Sequence, residues 1–136
     1  MNVLVDTSVW SLALRRTTIA AKGIAAELGE LITEGRVEIV GPIRQELLSG
    51  VKLEAQYRAL RDQLRAFPDL VLERDDFETA ALCYNQCRAA GIQGSNTDFL
   101  ICAVAKRRGL SVFTADNDFH AFSRVLGVRL HAARNA

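Results

Sequence analysis

Four acidic residues stand where an apolar strand ends or where the next helix begins. They are Asp6, Glu46, Asp98 and Asp116. Asp6 closes the apolar run that opens the chain, and Asp116 follows a second apolar run at 111–115. In an open parallel α/β sheet, the carboxyl ends of the strands and the N-termini of the helices lie along one edge, where ligands bind. Carboxylates gathered at such an edge suit a hard divalent cation and therefore phosphate chemistry.

Each acid also has an ordinary structural explanation. Asp6 is a favoured N-cap residue, Asp98 completes a capping box with Ser95, and Asp116 and Asp118 are typical turn residues. Taken together, the acids still favour a site, because a carboxylate ending an apolar strand is costly without a cation or hydrogen-bond donors. The chain has only two histidines, and it contains neither a P-loop nor a nucleophile elbow, so a histidine zinc site or a serine hydrolase is not indicated.

The elements that must position these acids alternate between strand and helix. The patterns predict strands at 2–6, 36–40, 70–72, 111–114 and 128–130, and helices at 8–15, 19–34, 42–50, 53–67, 75–90, 96–108 and 119–124. Such alternation predicts a parallel sheet with helices on both faces. The helix after Asp98 is apolar on every side over 99–105, which indicates burial and places Asp98 deep in the cleft. The core face of the helix at 75–90 is predicted to be Phe77, Ala80, Ala81, Tyr84 and Cys87.

Length and composition bound the possibilities. A chain of 136 residues, 49% hydrophobic and 24% charged, indicates one globular domain over 1–136. The longest apolar run is far too short for a membrane span, and no signal peptide is visible, so we expect a cytoplasmic protein. The three cysteines, an odd number, predict reduced core residues rather than disulfides. The net charge of +1 gives no signature of nucleic-acid binding by itself.

Four segments in register resemble the PIN-domain ribonucleases, and most closely the VapC-type toxins of bacterial toxin–antitoxin pairs. They are VLVDTSVW at 3–10, QELLSG at 45–50, TDFLICAVA at 97–105 and TADNDF at 114–119. The resemblance covers essentially the whole chain. It implies an α/β protein with a three-layer α/β/α PIN-like fold and a central, mostly parallel sheet. It also implies an endoribonuclease that depends on Mg²⁺ or Mn²⁺.

The resemblance assigns roles residue by residue. The catalytic acids are Asp6, Glu46, Asp98 and Asp116. The metal ligands are Asp6, Asp98 and Asp116, with Asp118 as an alternative or auxiliary fourth ligand. Ser8 and Asn96 are expected to support the site, Ser8 by holding a metal-bound water or a phosphate oxygen. RNA must approach past the acids, so nearby basic residues are expected to guide its backbone. The candidates are Arg15, Arg16, Arg44, Lys52 and the row of Arg58, Arg61 and Arg65 at helical spacing.

The resemblance also implies partners beyond the RNA substrate. A cognate VapB-type antitoxin is expected to lay an apolar tail in a groove and to place a basic side chain among the acids. The helices at 19–34 and 53–67 could form that groove, with Trp10, Ile24 and Tyr57 as possible contacts. A homodimer is expected.

Other functions compete with the toxin. A PIN-fold RNA-processing nuclease without an antitoxin and a non-catalytic RNA- or protein-binding domain both stay open. A haloacid-dehalogenase-type phosphatase would need a second aspartate where Ser8 stands.

Overall fold

The computed structural model describes residues 1–15 and 18–134, which form three strands and seven helices. The strands are β1 (Val3–Val5), β2 (Val37–Glu38) and β3 (Ser111–Phe113). The helices are α1 (Thr7–Arg15), α2 (Ile19–Thr33), α3 (Gly41–Leu48), α4 (Glu54–Leu64), α5 (Arg74–Ala89), α6 (Asn96–Arg108) and α7 (Asp118–Leu126). The α/β class predicted from the sequence is confirmed, and the seven predicted helices and three of the five predicted strands are present.

The sheet is parallel, and β1 lies at its centre. Its order is β2-β1-β3, with Leu4 paired to Glu38 on one side and to Val112 on the other. The chain therefore leaves β1 towards one edge and later returns on the opposite side of β1. Such a reversal creates a crevice at the carboxyl ends of the strands, where ligands bind in open α/β sheets.

The prediction of two outer strands at 70–72 and 128–130 is wrong. Each is reduced to one parallel bridge, from Asp69 to Ile39 and from Leu130 to Val112. On the first edge the neighbouring strand has only two residues, and Val71 is 78% exposed, so neither a long ladder nor a packed face is available to extend the pairing.

Helices cover the sheet in two packed groups. Helix α1 packs on α2 and α3, while α5 packs on α6 and α7. All three residues of β1 are fully buried, and seven consecutive residues of α6 are buried on every side. The all-round apolar sequence of α6 thus predicted its central position correctly. Among the described residues, no helix has the length and apolarity needed to cross a membrane.

The predicted core face of α5 is partly wrong. Its buried residues are Asp76, Ala80, Cys83 and Cys87, whereas Phe77 is 53% exposed. The helix is rotated because Asp76 is drawn inward, where it binds the guanidinium groups of two arginines at the end of α6. They are Arg107 and Arg108.

The three cysteines are free and buried, as predicted. Burial raises the pKa of the thiols of Cys83, Cys87 and Cys102, so these side chains stay protonated at neutral pH.

Candidate active site

Asp6 occupies the carboxyl end of the central strand and is held by two hydroxyl groups. Its side chain is 6% exposed, and its Oδ2 accepts hydrogen bonds from Ser8 Oγ at 2.7 Å and Thr114 Oγ1 at 2.9 Å. The Asp6 amide donates to the carbonyl of Phe113 at 2.9 Å, which continues the pairing of β1 with β3. The other carboxylate oxygen, Oδ1, receives no hydrogen bond from the described residues. One oxygen is therefore fixed by the protein, and the other is left to bind a ligand.

The same hydroxyls fix the loop after β3. Ser8 Oγ accepts a hydrogen bond from the amide of Ala115, and Thr114 Oγ1 accepts one from the amide of Asp116, both at 3.0 Å. Asp116 Oδ1 in turn accepts from the amide of Asp118 at 2.9 Å. Ser8 thus ties α1 to the loop that carries Asp116, and its predicted contact with a metal-bound water or a phosphate oxygen stays a prediction. Sequence reasoning gave no role to Thr114, whose contact with Asp6 spans 108 positions of the chain.

Asp98 lies in the first turn of α6, where it forms the predicted capping box. The amide of Asp98 donates to Ser95 Oγ at 3.1 Å, and the amide of Ser95 donates to Asp98 Oδ2 at 3.0 Å. The capping explanation and the site explanation are therefore compatible. Oδ2 serves the helix end, while Oδ1 receives no hydrogen bond from the described residues.

Glu46 projects from α3 towards the other acids. Pro42 stands near the start of this helix, as its fixed backbone geometry allows. Partial burial raises the pKa of Glu46, and the negative charges of Asp6 and Asp98 raise it further, while a hydrogen bond from Thr97 acts in the opposite direction. Glu46 and Thr97 share a cleft of about 410 Å³ with Thr7. The Thr7 hydroxyl is buried and has no hydrogen-bond partner among the described residues, and a buried polar group of this kind is normally satisfied by the protein or by an ordered water.

Mutual repulsion shows that the four acids form one electrostatic unit. The pKa of Asp98 is raised mainly by burial, against the hydrogen bonds from Ser95, and also by the charges of Asp6 and Asp116. The ion pairs of the described residues neutralise other acids and none of these four. The negative charge of this crevice is therefore uncompensated by the residues that the structure describes.

The carboxylate oxygens of these acids fit a hard divalent cation that keeps part of its water shell. In residues 1–15 and 18–134, no three acids, cysteines or histidines are placed closely enough to enclose an ion by themselves. Mg²⁺, however, usually keeps several waters and is bound through one or two carboxylates together with substrate phosphates. The carboxylate oxygens of Asp6 and Asp98 that have no partner among the described residues match that mode of binding better than a closed cage.

The remaining predicted residues lie at different distances from this crevice. Asn96 stands at the start of α6, two positions before Asp98, and Asp118 is exposed at the start of α7. Arg15 is exposed at the end of α1, and Arg61 is half-buried on α4, where its Nε donates to Asp62 at 3.0 Å. Arg16 lies outside the described residues.

Arg44 is engaged within the protein, and its predicted contact with RNA stays a prediction. Its guanidinium donates to Asp69 Oδ1 and to the Leu64 carbonyl, both at 3.0 Å, and also to the Phe67 carbonyl. These bonds secure the end of α4 and the edge of the sheet, so all three nitrogens of the side chain are occupied within the protein. Arg44 is therefore a structural tie.

The family model of the PIN domain matches residues 3–125 of this chain. The chain belongs to the PIN-domain family. The VapC ribonuclease Mb1587 of Mycobacterium bovis is 32% identical over 136 residues, covering 97% of this chain and 99% of the relative. Ribonuclease VapC11 of Mycobacterium tuberculosis gives the same identity and coverage. These full-length matches place the chain among the VapC ribonucleases and confirm the family resemblance.

Solved structures share the PIN fold along nearly the whole chain. FitAcB from Neisseria gonorrhoeae has a TM-score of 0.77 at 23% identity, covering 98% of this chain and 99% of that one. VapBC2 from Rickettsia felis, solved with a DNA fragment from its promoter, has a TM-score of 0.76 at 17% identity, covering 96% and 98%. At these identities, the structures establish the three-layer fold of the PIN domain for this chain.

Proposed function

We propose that this protein is an endoribonuclease that hydrolyses RNA phosphodiester bonds at a Mg²⁺ or Mn²⁺ site, and that it is the toxin of a toxin–antitoxin pair. The observation that carries the proposal is a cluster of four acids without ion-pair partners among the described residues, in the crevice where the strand order reverses at β1. The four acids are Asp6, Glu46, Asp98 and Asp116. Membership among the VapC ribonucleases supports RNA as the substrate class.

The residues divide the work of hydrolysis between them. Asp6 and Asp98 would hold the cation through their free Oδ1 atoms, with Asp116 as a third ligand and Asp118 as an auxiliary one. A bound divalent cation lowers the pKa of a water and stabilises charge on the reacting phosphate. Glu46 lines a cleft and has a pKa raised by burial and by the charges of Asp6 and Asp98, so it would orient the attacking water and accept its proton. Ser8 holds Asp6 and the Asp116 loop in register, and Asn96, at the start of α6, would have a supporting polar role beside Asp98.

RNA would be guided to the acids by basic side chains outside the crevice. Arg15 is exposed, and the Arg61 side chain retains 34% of its accessibility, so both can reach a phosphate. Contacts of this kind position the backbone without reading sequence, and they weaken as salt concentration rises.

An antitoxin partner of the VapB type would cover apolar side chains around α2 and α4. Ile19 is 90% exposed, Leu53 is 61% exposed and Tyr57 is 37% exposed, whereas Ile24 is half-buried against the core. Trp10 is excluded as a contact of this kind, because it is 6% exposed and packs edge-on against Phe67 with ring centroids 5.4 Å apart. We further propose that the protein forms a homodimer, which sedimentation velocity would establish.

The test is cleavage of a mixed RNA pool by the purified chain with Mg²⁺, with Mn²⁺ and with EDTA. The control is Asp98→Asn, which keeps an oxygen to accept the Ser95 amide but removes the charge. We expect cleavage with either metal, none with EDTA, and a loss of at least about 100-fold in the variant, because its carboxylate is a ligand and not only a cap.

The proposal fails if a folded Asp98→Asn protein cleaves at the wild-type rate, or if EDTA has no effect. The toxin role makes a separate prediction. Induction of the wild-type chain should stop growth, Asp98→Asn should not, and an open reading frame adjacent to the gene should restore growth when it is co-expressed.

A further inference from the structure

A pocket of about 400 Å³ lies between α5 and the start of α6, outside the acidic crevice. Its walls include Phe77, Ala80, Ala81 and Tyr84 from α5 and Leu100 from α6. This is the apolar stripe that the sequence pattern assigns to the core, but the rotation of α5 leaves it open, with Phe77 53% exposed. A pocket of this volume is in the range that holds small organic groups.

The pocket adjoins the proposed active site. Thr97 lines it on one side and lines the cleft of Glu46 on the other. Asn96 also lines the pocket, and Asp98 is the next residue after Thr97. The two hollows therefore share a wall, so a single ligand can occupy both the pocket and the cleft of Glu46.

The chemistry of the walls selects a flat, partly polar group. Tyr84 and Phe99 meet edge to face with ring centroids 5.4 Å apart, and Phe77 adds an exposed ring at the rim. The side-chain amides of Asn85 and Asn96 supply hydrogen-bond donors and acceptors on opposite walls. Aromatic faces with a few convergent amides are the means by which proteins hold unpaired RNA bases.

A second hollow continues the first and carries a positive charge. It has a volume of about 280 Å³, shares Tyr84 and Phe99 with the first pocket, and is lined by Arg88 and the loop at 91–94. Arg88 donates a hydrogen bond to the Tyr84 hydroxyl at 3.1 Å and has no acidic partner among the described residues. The groove thus offers rings and amides beside the acids and a guanidinium further out, which matches a base followed by the next phosphate.

We propose that the pocket between α5 and α6 is a base-binding subsite for single-stranded RNA, which holds a nucleobase next to the scissile phosphate while Arg88 contacts the phosphate beyond it. This inference rests on the proposed ribonuclease function and deepens it. It makes Phe77, Tyr84 and Asn85 determinants of which bond is cut.

The experiment uses one cleavable oligoribonucleotide and a set of copies in which a single abasic nucleotide is moved through the positions around the cleaved bond. The enzymes are the wild type, Phe77→Ala and Asn85→Ala. The matched control is Leu82→Ala, which is on the same helix and 60% exposed but does not line the pocket. Base–aromatic stacking predicts that one abasic position lowers the wild-type rate by about 10-fold or more. Phe77→Ala should lower the rate on intact RNA by a similar factor and respond little to that abasic position, while Leu82→Ala behaves as wild type.

The outcomes separate this inference from the proposed function. If the wild type cleaves and Phe77→Ala and Asn85→Ala keep its rate and positional profile, the subsite is refuted and the ribonuclease stands. If Phe77→Ala lowers the mass seen in sedimentation velocity and Leu82→Ala does not, the face joins two copies of the chain, and the subsite is again refuted.

If the wild type cleaves no RNA, the ribonuclease proposal fails, and binding then decides the subsite. Fluorescence anisotropy with a labelled single-stranded oligoribonucleotide in Mg²⁺ should show binding about 10-fold weaker for Phe77→Ala than for Leu82→Ala. Equal binding by the two variants would refute the subsite.

Discussion

Adding one methyl group at Gly94 should damage both the stability and the activity of this protein. Gly94 directly precedes Ser95, the cap of α6, and its α-carbon lies against two buried rings. A β-carbon at this position would lie 2.7 Å from Cζ of Phe122 and 2.9 Å from Cζ of Phe99. The two phenylalanines are 0% and 1% exposed and pack against each other with centroids 5.0 Å apart, so the added carbon must displace a packed ring or the loop itself.

The size of the effect follows from these distances. Ordinary van der Waals contact starts at 3.4 Å, so the loop or the rings must move by about 0.7 Å. Overpacking of this kind costs about 1–3 kcal/mol of folding free energy. If the loop gives way, the displacement passes to Ser95 and from there to Asp98, whose carboxylate is bonded to the Ser95 amide. Misplacement of a reacting group by about 1 Å can cost about 100-fold in rate, so we expect Gly94→Ala to lose roughly 10- to 100-fold.

Urea unfolding and RNA cleavage measure the two effects on the same preparations. The matched control is Gly29→Ala, because Gly29 lies inside α2 and a β-carbon there would meet nothing within 4 Å. That control should gain about 0.5–1 kcal/mol and keep wild-type activity. Wild-type stability in Gly94→Ala would refute the packing argument. Lower stability with an unchanged cleavage rate would show that the loop does not position Asp98.

Three further predictions test the supports of the site and the fold. Without metal, Asp98→Asn should be at least as stable as wild type because it relieves the repulsion between the acids, whereas Asp98→Ala should lose about 1 kcal/mol because it also removes the helix cap. Thermal unfolding with and without Mg²⁺ should show no metal-induced rise in Tm for either variant. Ser8→Ala should lose about 1–2 kcal/mol of unfolding free energy, measured with urea, and most of its cleavage activity, because the substitution frees both Asp6 and the loop after β3. Stability equal to wild type would contradict this prediction. Arg134 holds the pKa of buried Glu27 at about 2, so this pair should contribute on the order of 2 kcal/mol to the free energy of unfolding above about pH 5. That contribution should disappear as pH falls towards 2, and urea unfolding of Glu27→Gln over the same pH range should show no such decrease.

The features that could be predicted from the sequence are those encoded locally. The all-round apolar run of α6 predicted a central helix, and the Ser95–Asp98 spacing predicted its capping box. The positions of Asp6 and Asp116 after strands and of Asp98 at the start of α6 predicted one edge of the sheet. Glu46 instead lies near the end of α3, and the charges of Asp6 and Asp98 contribute to its raised pKa. The ligand assignments of individual acids stay predictions.

The features that could not be predicted depend on contacts between distant segments. Thr114 binds Asp6 across 108 positions, and a threonine that ends a strand has no local signal for this role. The face of α5 was misassigned because apolar periodicity gives an acid no place in the core, whereas Asp76 is fully buried between Arg107 and Arg108. The outer strands were overestimated because strand propensity does not reveal how short a neighbouring strand is.

The distribution of ion pairs explains how the fold tolerates a repulsive site. The two fully buried acids outside the crevice, Glu27 and Asp76, are each neutralised by arginine, and each joins distant parts of the chain. Removing one partner of such a pair is strongly destabilising, so these contacts hold the fold without help from a ligand. The acids at the switch point lack such partners among the described residues, and their repulsion lowers the stability of the metal-free protein while it increases the gain from a cation. Arginines placed in the same way beside Asp6 or Asp98 would stabilise the metal-free chain, but they would occupy the place that the proposed function gives to the cation.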